Sequence, residues 1–98
     1  MILIVDSGAT KSDWIALDDR GVQLFMTQTL GLSPEVLTKD IIMERLANNF
    51  ELSNNRKKIS QLFFYGAGCG TLRMRNYLSQ IFKEYFVNAK ISVKEDTY

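Results

Sequence analysis

The first fourteen residues combine the pattern of a buried strand with side chains that bind metal and phosphate. Four apolar residues, Ile2 to Val5, are followed by the carboxylate of Asp6 and then by the short loop Ser7–Thr10. A second strand over residues 11–17 follows at once. A carboxylate at the mouth of such a hairpin can hold a hydrated Mg²⁺, and a loop without bulky side chains offers amides and hydroxyls to phosphate. The alternative is an ordinary tight hairpin with Gly8 at a positive φ.

Composition limits the partners and the site chemistries that the chain can have. Its 98 residues can form one small domain, and a net charge of +1 favours neither nucleic acid nor a membrane surface as partner. The absence of histidine excludes His-based triads and His-ligated metals within the chain. The single cysteine, Cys69, excludes an internal disulfide. Without a signal-peptide pattern or an apolar stretch of about 20 residues, the expected location is the cytoplasm.

The elements that position the amino-terminal loop include a turn and three further strands. Residues 18–21 predict a turn with Gly21 at a positive φ. The next run, Val22 to Leu30, alternates between apolar and polar residues, which predicts a half-exposed strand near a sheet edge. The apolar run Leu62–Tyr65 predicts a buried fourth strand, and Ala89–Val93 predicts a fifth.

Two helices are expected between these strands. The first runs from Pro34 or Thr38 to Phe50, capped by Ser33 or Thr38, with a buried stripe at Ile42, Leu46 and Phe50. A surface loop over residues 53–58 follows it. The second helix spans about Leu72 to Phe86 and should bury the side chains of Met74, Leu78, Phe82 and Tyr85, with Arg73, Arg75, Lys83 and Glu84 facing water.

The order of these elements predicts an α/β fold: a three-stranded meander followed by helix, strand, helix and strand, with helices packed on a mixed five-stranded sheet. Asp6 ends the first strand, and Asp96 follows the fifth. Ligands of α/β sheets bind at the carboxyl ends of strands, so both carboxylates are expected at the same edge.

Residues 6–14, Asp-Ser-Gly-Ala-Thr-Lys-Ser-Asp-Trp, resemble the first phosphate motif of the actin, sugar-kinase and heat-shock ATPase superfamily. The predicted element order is similar to that superfamily's ribonuclease-H-like half-domain. Two further segments, Tyr65–Gly70 and Glu95–Tyr98, resemble the BadF/BadG-type ATPase family and its N-acetylglucosamine kinase-like members. The resemblance extends over essentially all 98 residues.

This resemblance implies ATP and Mg²⁺ as cofactors. It assigns Asp6 to the metal and Asp96 to the base that accepts the proton of the attacking sugar hydroxyl. The phosphate contacts that it implies are Ser7, Gly8, Ala9, Thr10 and Lys11. It also implies that Gly66–Gly70 lies beside the acceptor pocket. Amino-sugar kinases usually carry an Asn near residue 33, where this chain reads Ser-Pro-Glu.

The implied protein is a kinase that phosphorylates an amino sugar such as N-acetylglucosamine and forms a homodimer at full length. Such kinases continue with a helix, a second phosphate loop and an adenosine-binding loop on another lobe. Residues 1–98 are therefore expected to be an amino-terminal subdomain without its second lobe. Alone, it should have negligible kinase activity.

Other functions remain open at this stage. Gly66, Gly68 and Gly70, with Asp96 further on, imitate the fingerprint of a Rossmann-type dinucleotide-binding domain at approximate spacing. Pantothenate kinases of the third type begin with a similar strand, carboxylate and loop. Members of the same superfamily also act as transcriptional regulators, or as ATPase activators of radical dehydratases that carry an iron-sulfur cluster.

Overall fold

The computed structural model describes residues 1–95, which form one mixed sheet with helices packed on it. In chain order the elements are β1 (Ile2–Ser7), β2 (Lys11–Leu17), β3 (Gln23–Leu30), α1 (Lys39–Ala47), α2 (Phe50–Asn55), β4 (Gln61–Gly66), α3 (Leu72–Tyr85) and β5 (Lys90–Glu95). The strands lie in the order β3-β2-β1-β4-β5. The predicted α/β class, with its meander followed by alternating helices and strands, is confirmed.

Strand directions bring the carboxyl ends of β1, β4 and β5 to one edge of the sheet. The meander strands pair antiparallel, β1 with β2 and β2 with β3. β4 lies parallel to both β1 and β5. The loops that follow these three parallel strands therefore open on the same side of the domain, as the sequence predicts.

The core lies between one face of the sheet and the helices, and we call this the closed face. It takes every second residue of the strands, such as Val5 of β1 and Phe64 of β4, which have no exposed surface. Four fully buried aromatic rings meet there, with Phe82 5.2 Å from Phe64 and 6.2 Å from Trp14 between ring centroids. Burial of such rings is the main source of stability in a domain of this size.

The opposite face of the sheet, which we call the open face, has no helix on it in the described part of the chain. Its central row runs across all five strands in register: Met26, Ile15, Ile4, Phe63 and Ser92. Met26 is 62% exposed, and the others are only partly buried. Parallel strands are ordinarily covered on both faces, so this apolar surface is unusual.

The region after β3 differs from the prediction of one helix ending at Phe50. Thr38, not Ser33, caps α1, and its hydroxyl accepts a hydrogen bond from the Ile41 amide. Asn49 leaves the helical conformation and its side chain caps α2 through the Leu52 amide at 3.0 Å. The predicted loop over residues 53–58 is accordingly helical up to Asn55. Phe50 lies outside the core and is 74% exposed, whereas Leu52 of α2 is buried.

The prediction for α3 is largely confirmed. Leu78, Phe82 and Tyr85 are buried as expected, and Met74 is partly buried. Arg75 is not fully directed to water: it is partly buried, and its guanidinium donates to the Cys69 carbonyl at 2.9 Å. Across residues 1–95, none of the helices has the length and apolar character that crossing a membrane requires.

Candidate functional site

The amino-terminal hairpin presents an exposed three-residue loop at the carboxyl edge of the sheet. β1 continues to Ser7 and β2 begins at Lys11, so Gly8, Ala9 and Thr10 form the loop, and all three are exposed. The Gly8 amide donates to the Lys11 carbonyl at 2.9 Å and closes the turn.

Gly8 does not serve as the positive-φ residue of an ordinary tight hairpin. Among residues 1–95, glycines with positive φ occur only at Gly21, as predicted, and at Gly68. A Cβ on Gly8 would meet only the Lys11 carbonyl, at an ordinary 3.7 Å. The alternative prediction of a tight hairpin with Gly8 at a positive φ is therefore wrong. The space around Gly8 is open to a ligand.

Asp6 lies on the open face, one residue before the loop, and is exposed. In the strand register it stands directly opposite Asp13 of β2. Gln28 of β3 donates from Nε2 to Asp13 Oδ1 at 2.6 Å, and Tyr65 of β4 is the neighbour of Asp6 on its other side. The row across this end of the open face is thus Gln28, Asp13, Asp6, Tyr65 and Lys94.

Two carboxylates directly opposite each other on neighbouring strands repel. A divalent cation would relieve that repulsion, and carboxylate oxygens are the protein ligands that Mg²⁺ prefers. In the described part of the chain no three His, Cys, Asp or Glu side chains form a metal-binding group. Asp6 and Asp13 could hold a cation only together with water and phosphate oxygens, which is a coordination that Mg²⁺ accepts.

Sequence reasoning assigned no role to Asp13 or Tyr65, although both belong to this row. The signal was present in principle. A two-residue turn at Ala9 and Thr10, closed by Gly8 and Lys11, pairs Ser7 with Ser12 and so places Asp13 opposite Asp6, since paired residues of a hairpin count outward from the turn. The neighbourhood of Tyr65 depends on the parallel pairing of β1 with β4, which has no local signature.

Of the predicted phosphate ligands, Ser7 is placed differently from the others. Its hydroxyl is buried and lies 2.6 Å from the hydroxyl of Ser12, beneath the loop. Lys11 is exposed at the start of β2. The structure thus places the exposed loop and Lys11 beside Asp6, whereas the Ser7 side chain points into the protein.

The glycine segment after β4, residues 66–70, lies next to the loop that follows β3. Gly68 has φ +79°, and a Cβ there would overlap the hydroxyl oxygen of Ser33. Cys69 is fully buried, and burial raises the pKa of its thiol to about 11. A cavity of about 460 Å³ opens beside the segment, lined by Glu35, Gly68, Gly70, Thr71, Arg73 and Met74.

The predicted catalytic residue Asp96 lies outside the described residues. The last described residue, Glu95, ends β5, and its carboxylate would lie 3.6 Å from a Cβ on Gly70. β1 and β5 are separated by β4 alone, so their carboxyl ends are two strand spacings, roughly 10 Å, apart. The shared edge expected for these two strands is confirmed.

No protein-family model matches the chain, and no curated protein matches it. Among solved structures, it is similar to the crystal structure of a protein described as a putative N-acetylglucosamine kinase from Porphyromonas gingivalis. The TM-score is 0.85 and the sequence identity 31%, over 98% of this chain and 34% of that protein. The chain therefore has a sugar-kinase-like fold and spans about a third of the length of that protein.

Proposed function

We propose that this chain is the phosphate-binding part of an ATP-dependent kinase that phosphorylates an amino sugar such as N-acetylglucosamine. The observation that carries the proposal is the exposed hairpin loop beside Asp6, in a fold similar to that of the Porphyromonas gingivalis protein. Fold alone does not assign an activity, so the argument rests on this loop and its carboxylate.

Phosphoryl transfer depends on positioning the phosphates and neutralising their charge. In the proposed enzyme the loop Gly8–Thr10 binds the β- and γ-phosphates through the amides of Ala9 and Thr10, and the Lys11 ammonium adds a positive charge. Asp6 orients the waters of the magnesium ion, with Asp13 contributing to the same negative field. When bound, the ion offsets phosphate charge as the phosphoryl group moves.

The acceptor sugar is proposed to bind at the same edge, towards β5. The glycine segment and the cavity beside it supply backbone groups, the carboxylate of Glu35 and the guanidinium of Arg73. Carboxylates and guanidinium groups are suitable partners for sugar hydroxyls and amides. Asp96, one residue beyond Glu95, is proposed as the base that takes the hydroxyl proton.

The remainder of the site is proposed to come from a second lobe that binds adenosine. Residues 1–98 alone are then expected to turn over ATP negligibly, because a site closed between two lobes cannot form from one. The full-length enzyme is proposed to be a cytoplasmic homodimer.

The test is a substrate screen with the protein in its natural length. We expect ADP release that depends on both Mg²⁺ and an amino sugar, with a sugar phosphate detected as product by phosphorus NMR. Sugars that lack the amide group serve as matched control acceptors. ATP hydrolysis without transfer to any sugar would contradict the kinase and favour the dehydratase activator. Binding of NADH in preference to ATP would favour the dinucleotide-binding alternative.

A further inference from the structure

Gly31 directly follows β3, and its backbone contacts the hairpin loop. Its amide donates to the Thr10 carbonyl at 2.9 Å. Its own carbonyl accepts a hydrogen bond from the guanidinium of Arg45 in α1. The backbone of Gly31 is therefore fixed on one side by the loop and on the other by a helix, and the residue is buried.

Gly31 has no room for a side chain. A Cβ at this position would overlap the carbonyl oxygen of Ala9 and would lie 2.9 Å from the Ala9 carbonyl carbon and 3.0 Å from the Gly8 carbonyl oxygen. All three atoms belong to the backbone of the loop, so no rotation of a flexible side chain can relieve the contact. Any larger residue at position 31 must displace the loop.

The loop is also fixed from below. The Ser7 and Ser12 hydroxyls flank it and share a buried hydrogen bond of 2.6 Å. The Leu32 amide, next to Gly31, donates to the Ser7 hydroxyl at 3.4 Å. Residues 31 and 32 thus hold both the exposed part of the loop and its buried base, and the loop cannot adjust independently of them.

We propose that Gly31 is a positioning residue for the phosphate loop, an inference that rests on the proposed function. Because it lacks a side chain, the backbone of Gly8 and Ala9 can approach the end of β3 closely, and this sets where the loop amides point. Gly31 itself is not proposed to touch phosphate. It acts through the loop, although it lies 22 residues after Ala9 in the chain.

The experiment compares Gly31→Ala with Gly21→Ala in the protein of natural length. Gly21 has φ +81° and no atom within 4 Å of an added Cβ, so its substitution strains the backbone far from the loop. We expect Gly31→Ala to raise KM for ATP and to lower kcat/KM by about 10- to 100-fold, since misplacement by about 1 Å can cost that much. Gly21→Ala should lower the thermal midpoint and leave KM for ATP unchanged.

A second variant keeps the inference testable if Gly31→Ala does not fold. Arg45→Met removes the donor to the Gly31 carbonyl without adding volume against the loop. We expect about a threefold rise in KM for ATP, with KM for the sugar unchanged. Affinity for Mg-ADP should fall in parallel, whereas affinity for adenosine, which has no phosphate, should not.

The outcomes separate this inference from the proposed function. If the unmodified protein binds no Mg-ATP, the proposed function fails. If the unmodified protein binds it and folded Gly31→Ala keeps the same KM for ATP, the function stands and the role of Gly31 is refuted. An unfolded Gly31→Ala together with an unchanged KM in Arg45→Met also refutes that role.

Discussion

The closed and open faces of the sheet are built from the same strands, yet they have opposite character. On the closed face, Trp14 and Phe64 have no exposed surface and contact the Phe82 ring of α3. On the open face, Ile4 and Phe63 are only partly buried, and the row that contains Asp6 lies at the carboxyl edge. Adjacent residues of one strand therefore serve different purposes: Val5 packs in the core and Asp6 faces the candidate metal site.

This division indicates that stability and chemistry can change independently in this domain. A strand alternates its side chains between faces, so a substitution at one position leaves its neighbours on the other face in place. Core substitutions should therefore affect unfolding first, and open-face substitutions should affect ligand binding first.

The largest expected effect is on the closed face, from Phe82→Ala. The Phe82 ring lies between those of Trp14, Phe64 and Phe86, and its removal leaves a cavity. We expect a loss of about 3–5 kcal/mol in the free energy of unfolding, measured by urea denaturation. The matched control is Phe63→Ala on the open face, which should cost clearly less. Equal losses would remove the distinction between the two faces.

The second-largest expected effect is on the open face, where Asp6→Asn should lower activity. This change keeps the shape of the side chain and removes its charge, so the phosphoryl-transfer rate of the full-length enzyme should fall by about 10²–10³. The thermal midpoint without ligand should stay nearly constant. Asp19→Asn, an exposed aspartate in the β2–β3 turn, serves as control and should retain full activity. A large loss of stability in Asp6→Asn would show that the open face also maintains the fold.

A third prediction concerns the buried thiol of Cys69 in the glycine segment. Because burial raises the pKa of Cys69 to about 11, the folded chain keeps its proton at pH values where the unfolded chain loses it. Cys69 should then resist alkylation at pH 8 and react upon unfolding. Its contribution to stability is complete below the ordinary thiol pKa and falls as the pH rises towards 11.

This behaviour can be checked by mass spectrometry of iodoacetamide-treated protein across a urea gradient. Cys69→Ala should show less loss of stability between pH 9 and 11 than the unmodified chain. Rapid alkylation of the folded protein at pH 8 would mean that the glycine segment opens readily.

The smallest expected effect is from Asp13→Asn, which removes the repulsion between Asp13 and Asp6. We expect a gain of about 0.2–1 kcal/mol in the free energy of unfolding when a chelator is present. The same substitution should weaken Mg²⁺ binding. If stability is unchanged in chelator and Mg²⁺ affinity is retained, the two carboxylates do not act as a pair.

Sequence patterns predicted the strands well because alternation and apolar runs are local signals. They failed at the end of the first helix, where Phe50 continues the spacing of Ile42 and Leu46. There the capping side chain of Asn49 outweighs periodicity and starts a new helix.

At the candidate site, the motif predicted roles for Asp6 and the loop, but Gly31 had no signal of its own. Its role depends on the backbone of Ala9, 22 residues earlier, and such an approach appears only when the chain is folded. The pairing of Asp6 with Asp13 lay between these cases, since it follows by counting outward once the two-residue turn at Ala9 and Thr10 is known.

The Asn49 side chain also has a consequence for assembly. While its oxygen starts α2, its amide nitrogen donates to the Thr27 hydroxyl at 2.8 Å and to the Gln28 carbonyl at 3.1 Å on the outermost strand, β3. That carbonyl would otherwise be available to a foreign strand adding to the sheet. A strand adding at this edge of the sheet would therefore have to displace the Asn49 side chain from that carbonyl.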